Sequence, residues 1–163
     1  PYIYGERSPI QDPNARGILA GLSGKHDRRH INRAALESVG YSTLQHMMLF
    51  NEMQIPPDKI ITAGGGTKNL TWMQIICDML GMEITIPEPY QCSPYGDAMM
   101  AAIGIGKIRD FHELQETLPK GNILKPDMVR HQIYKRNYPL FLQLYKNNKD
   151  TLHNLSRQQS NLN

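Results

Sequence analysis

The segment Ile60-Ile61-Thr62-Ala63 runs into three consecutive glycines, Gly64, Gly65 and Gly66, followed by Thr67, Lys68 and Asn69. Glycines after an apolar run let the chain turn sharply and leave backbone amides unscreened by any Cβ. A helix beginning just past them points its unpaired N–H groups and its positive dipole end back at the turn. A nucleotide can then lay its base or its phosphates on bare main chain. The Asn69 amide, one residue into that helix and both donor and acceptor, is placed to read a base edge. The spacing fits neither the phosphate loop GxxxxGK[ST] nor the dinucleotide fingerprint GxGxxG. It serves equally well for a tight strand-to-helix turn that holds nothing.

Other candidate groups carry less. His26 and His30 are four apart beside Asp27, a spacing open to a metal ion, but Lys25, Arg28 and Arg29 around them repel a cation, so no metal is expected. No Ser/His/Asp arrangement has motif context, and no catalytic acid or base is assigned. Cys92 has no activating neighbour and reads as an inert thiol. Met47, Met48, Met53, Met99 and Met100 read as adaptable core filling. Trp72 reads as packing onto a neighbouring loop.

These residues need elements to hold them. Residues 1–26 are rich in Gly, Pro, Asp and Asn and describe a long loop. Asp27 caps a helix with apolar or small positions at Ile31, Ala34, Ala35, Ser38, Val39, Ser42, Leu49 and Met53, ended by Ile55-Pro56-Pro57. Gly40 inside it costs about 1 kcal/mol against Ala, which predicts a close neighbour there. Residues 59–63 read as a short buried strand. A helix is predicted from about Lys68 to Leu80, with Gly81 as its left-handed stop. Glu83 to Ile86 form a second strand, closed by Pro87 and Pro89, and a third helix runs from about Tyr95 to Ile105, whose small residues permit close approach. Strand–helix–strand–helix order predicts an α/β layer, a sheet covered by helices.

The chain has 163 residues, 40% hydrophobic and 20% charged. That is one globular domain, and disorder, fibres and membrane spans are excluded. Its start, Pro1-Tyr2-Ile3-Tyr4, lacks an initiator Met and a signal segment and reads as cut from something longer. Two cysteines, Cys77 and Cys92, predict a reduced, cytoplasmic protein. Net charge is +3. The excess lies after residue 110, where Lys135, Arg136, Lys146 and Lys149 alternate with Tyr134, Tyr138, Leu140, Phe141 and Leu144. That pattern is a solvated helix face rather than a nucleic-acid surface. The polar end, residues 154–163, is expected to fray.

Three stretches resemble one family. Gly5-Glu6-Arg7-Ser8-Pro9, Asp12-Pro13-Asn14-Ala15-Arg16-Gly17 and Gly21-Leu22 are similar to GERxPxxDPxARGxxxGL of the C-terminal domain of FGGY carbohydrate kinases. Gly64 to Gln74, continuing to Cys77-Asp78 and Gly81, is similar to the family's adenosine segment GGGxKSxxWxQxxADxxG. Tyr95 to Ala102, with Gly104 and Gly106, resembles its xxGAAxxAAxGxG helix. The match covers residues 2–107 and is most like the xylulokinase branch. Asn69 stands where many of that branch have Ser, and Asp97 replaces the commoner Ala.

The resemblance implies an α/β, actin-like (ribonuclease H-like) domain, a mixed sheet covered by helices with a helical C-terminal tail. Residues 1–163 would form the single nucleotide-binding half of a two-domain kinase, lacking the N-terminal sugar-binding domain. It implies ATP or ADP on Gly64, Gly65, Gly66, Thr67, Lys68 and Asn69. Mg²⁺ would be held mainly by the phosphates and the other domain, which also carries the base. Glu6 and Arg7 would be interdomain contacts, or a local exposed ion pair. The full protein would transfer the γ-phosphate of ATP to a pentulose such as xylulose, and this chain alone would be inactive. A non-catalytic nucleotide-binding module and a kinase for gluconate, ribulose or glycerol remain the alternatives. The expected partners are ATP, a small sugar and the N-terminal domain, without nucleic acid or membrane. A homodimer stays open.

Overall fold

In the computed structural model, residues 1–87, 93–117 and 121–160 are described. The expectations for Pro89 and Cys92 lie outside those residues. After a long first loop the order is α1 (Arg28–Glu52), β1 (Ile60–Ile61), a 3₁₀ turn (Gly65–Lys68), α2 (Leu70–Leu80), β2 (Ile84–Ile86), α3 (Ser93–Gly104), α4 (Phe111–Thr117), β3 (Asn122–Leu124) and α5 (Met128–Ser160). Among the described residues no helix is long and apolar enough to cross a membrane.

Helix α2 is the hub. Met73, Ile75, Ile76, Cys77, Asp78, Met79 and Leu80 are all buried, because α1 and α5 both pack on it and the sheet backs it. A helix apolar on most of its circumference belongs inside. The sheet is mixed, in the order β1-β2-β3. β1 pairs parallel with β2 through Ile60↔Ile84 and Ile61↔Thr85, and β2 pairs antiparallel with β3 through Ile84↔Leu124 and Ile86↔Asn122.

Local chemistry sets the helix ends. The Asp27 carboxylate accepts from the Arg29 and His30 amides at the start of α1. Gly81 ends α2 in the left-handed region (φ 67°), its N–H donating to the Cys77 carbonyl at 2.9 Å. The neighbour predicted at Gly40 is Met79: a Cβ there would stand 2.9 Å from its sulfur. Lys135, Arg136, Lys146 and Lys149 are exposed on α5, while Tyr134, Tyr138, Phe141, Tyr145, Leu152 and Ser156 form its inner row.

Several expectations are corrected. β1 is two residues long and Ile61 is exposed, because among the described strands β1 pairs only with β2 and forms an edge. α2 begins at Leu70, since the glycines take a 3₁₀ turn first. Met48, Met53 and Met100 are exposed; Met47 packs half-buried against the core as expected, and the buried methionines are Met73 and Met79. α4 and β3 were not expected. Instead of fraying from residue 154, α5 stays helical to Ser160, since Leu152 and Ser156 are buried. α3 buries none of its residues against the described chain.

Candidate functional site

The glycine turn opens outward. Gly64 adopts φ 91°, and a Cβ added at Gly64 or Gly65 would meet nothing within 4 Å. Under Gly66 lies the Trp72 ring, 3.2 Å from where a Cβ would stand. Trp72 is fixed by its indole N–H, which donates to the Leu36 carbonyl of α1 at 3.1 Å. It therefore packs onto a helix, and at the same time floors the turn. Gly65, Gly66, Lys68 and Asn69, with Leu36, Leu70, Thr71 and Trp72, line one shallow open hollow.

The structure thus brings together four of the six expected residues. Gly64 and Thr67 are not in the hollow's lining. Thr67 is buried, and its hydroxyl donates to the Gly64 carbonyl at 2.7 Å, which braces the turn. Asn69 is the N-cap of α2 rather than its first residue, and its Oδ1 accepts from the Trp72 amide at 3.1 Å. One lone pair of Oδ1 is engaged by the helix, which leaves the two Nδ2 donors and the second lone pair to offer outward.

The far side of α2 carries a buried carboxylate, Asp78. It accepts from Gln74 Nε2 at 2.6 Å and the Asp127 amide at 2.9 Å, and pairs with Arg130 at 3.4 Å. This motif aspartate is a brace between α2 and the start of α5 and is not part of the hollow's lining. Beside it burial, with Asp78 adding, pushes the Cys77 thiol up to about 11, which keeps it an inert S–H.

Glu6 and Arg7 do not line the hollow. They line another, with Tyr4, Gly5, Gln11 and Pro13. The expected alternative of a local Glu6–Arg7 ion pair is not what forms. The Glu6 carboxylate accepts from the backbone amides of Arg7 (2.9 Å) and Ser8 (3.4 Å), capping its own turn. His26 and His30 are used locally, His26 Nδ1 accepting from the Ser23 amide and His30 meeting Asp27. Among the described residues no group of three or more His, Cys, Asp or Glu is placed to hold a metal ion.

Sequence reading missed the residues that hold the first loop. Asp12 is buried, accepting from Tyr145 Oη, from His153 Nε2 at 2.7 Å and from the Asn14 amide at 3.0 Å. Burial pushes its carboxyl up, but these donors, Tyr145 and His153 foremost, outweigh it and bring it down to about 2. The Arg16 guanidinium donates to Ser156 Oγ at 2.6 Å and to Gln159 Oε1 at 3.4 Å. Asp12 and Arg16 stand in the first motif, but nothing in the letters paired them with Tyr145, His153 and Ser156 of α5. A further hollow, of about 280 Å³, lies between the first loop, α1 and α5 and is lined by Tyr2, Ile18, Tyr41, Leu140 and Phe141 among others. Its lining is largely aromatic and aliphatic.

Residues 1–105 match the C-terminal domain of the FGGY family of carbohydrate kinases. The chain is 33% identical over 151 residues to a xylulose kinase of Bacillus subtilis (92% of this chain, 30% of the relative). It is 30% identical over 145 residues to a gluconokinase of the same organism (88% and 28%). Among solved structures, the xylulose kinase of Rhodospirillum rubrum superposes with a TM-score of 0.76 at 29% identity, covering 94% of this chain and 30% of that one. The chain therefore spans about 30% of the length of the curated relatives it matches.

Proposed function

Because this chain belongs to the FGGY family of carbohydrate kinases, we propose that it holds the adenosine end of ATP in an enzyme that phosphorylates a sugar hydroxyl. The observation that carries this reading is the uncovered main chain at Gly65 and Gly66, with Trp72 beneath and the Asn69 amide at the rim. Adenosine lies on the glycines, Asn69 Nδ2 donates to an acceptor on the base edge, and Lys68 stands at the mouth. Gly64 and Thr67 shape the turn.

Phosphoryl transfer asks little covalent chemistry of a protein, so a domain can contribute by positioning alone. The hollow has no carboxylate in its lining, so these residues do not fit Mg²⁺. The ion is assigned to the phosphates and to the rest of the enzyme, as are the base and the sugar site. The proposed architecture is the two-lobed actin-like one, with Glu6 and Arg7 facing the other lobe. A pentulose such as xylulose is the proposed acceptor, supported by the xylulose kinase relatives; gluconate is the competitor that the gluconokinase relative brings in.

Asn69→Ser tests the site. Serine keeps the cap of α2 but has no amide for the base. ADP affinity of the whole protein, measured by calorimetry, should fall about fivefold with unchanged thermal stability. Unchanged affinity removes Asn69 from the site. ATP consumption against a panel of pentuloses and gluconate decides the acceptor.

A further inference from the structure

The first loop is held by more polar chemistry than a surface loop needs, and what it holds up is uncovered. Asp12 exchanges both backbone hydrogen bonds with Glu6, at 2.8 and 2.7 Å, so that residues 6–12 close as a narrow hairpin. The Asp12 carboxylate is only 5% exposed and takes donors from Tyr145 and His153 of α5. Four residues on, Arg16 reaches Ser156 and Gln159 on the same helix. Four residues before Glu6, the Tyr2 ring packs on Phe141 and Tyr145, with centroids 6.0 and 5.4 Å apart. Beyond these grips Tyr4 is 97% exposed and Ile3 66%, and Arg7 is exposed with no side-chain partner among the described residues.

Apolar packing could anchor a loop without burying a charge. A buried carboxylate with directional donors sets an orientation as well as a position. We propose that Tyr145 and His153 are positioning residues which, through Asp12, fix the direction in which the hairpin presents Arg7 to the other lobe. This rests on the kinase reading above, and it assigns the last third of the chain, outside the matched residues 1–105, a part in catalysis. Both side chains act through Asp12 and Arg7 and touch no substrate. Their loss therefore changes turnover more than nucleotide binding.

The test uses the whole kinase with Tyr145→Phe, His153→Gln, Arg7→Gln and the double variant Arg7→Gln/Tyr145→Phe. Tyr145→Phe and His153→Gln should each lower kcat about fivefold while KM for ATP stays within about twofold. Amide exchange should speed up across residues 6–12 and stay unchanged in α2. The double variant should be no slower than Arg7→Gln alone, because a residue that works through Arg7 has nothing left to position. Additive losses, or a Tyr145→Phe that lowers only thermal stability with kcat intact, overturn the proposal. So does an Arg7→Gln with full kcat. Should Tyr145→Phe fail to fold, His153→Gln and its double with Arg7→Gln decide by the same criteria. Because ADP binding is read separately, an unchanged ADP affinity in Asn69→Ser would count against the nucleotide reading, whereas intact ADP binding with unaltered turnover in Tyr145→Phe and His153→Gln would sink only the positioning role.

Discussion

Gly5 and Gly65 both sit in glycine-bearing motifs, yet their surroundings are opposite. A Cβ on Gly5 would stand 2.6 Å from the Pro13 carbonyl oxygen, and the residue's φ is +81°. A Cβ on Gly65 would meet nothing within 4 Å. The first glycine is required by the protein's own packing. The second meets nothing among the described residues, and that bareness is what the proposed adenosine contact uses. The same division separates the polar groups: Asp12 is enclosed by α5, and Asn69 stands open at the rim of the hollow.

Gly5→Ala should give the largest effect. Left-handed strain and a backbone clash together cost about 3 kcal/mol, read as loss of stability in urea, with ADP affinity retained wherever the protein stays folded. A neutral Gly5→Ala would erase the contrast.

Asp12 comes next. Its carboxyl is held at about 2, below the usual 3.8, so its contribution is fully present above pH 4 and is lost as pH falls through 2. Urea titrations should find wild type more stable than Asp12→Asn by about 2 kcal/mol at pH 6, with the gap closing toward pH 2. A gap independent of pH would mean that the lost stability is packing and not charge.

Gly65→Ala sharpens the other side. It should leave the unfolding midpoint in place and weaken ADP about tenfold, because a methyl group lifts the nucleotide off the main chain. Weakened stability with normal ADP affinity would reverse the assignment of the two glycines.

Much of the frame was legible in the sequence because its signals are local. The Asp27 cap, the Gly81 stop and the Gly64–Gly66 turn each depend on the residue's own conformational preferences and its near neighbours. The close contact at Gly40 was legible too, since a glycine inside a helix needs a reason. β3 and α4 were not, being short and without strong periodicity. Nor was the division of labour in the site: nothing in the letters says that Asn69 Oδ1 is engaged by Trp72 N–H or that Thr67 faces inward.

The sequence by itself determined the glycine turn, its helix, and the family whose motifs these residues carry. Only the tertiary structure decided that Asp12 and Arg16 are gripped by Tyr145, His153 and Ser156, partners more than 130 residues away. The physical reason is range. Backbone conformation and capping are settled within a few residues, whereas a buried carboxylate finds its donors only once distant helices have packed around it.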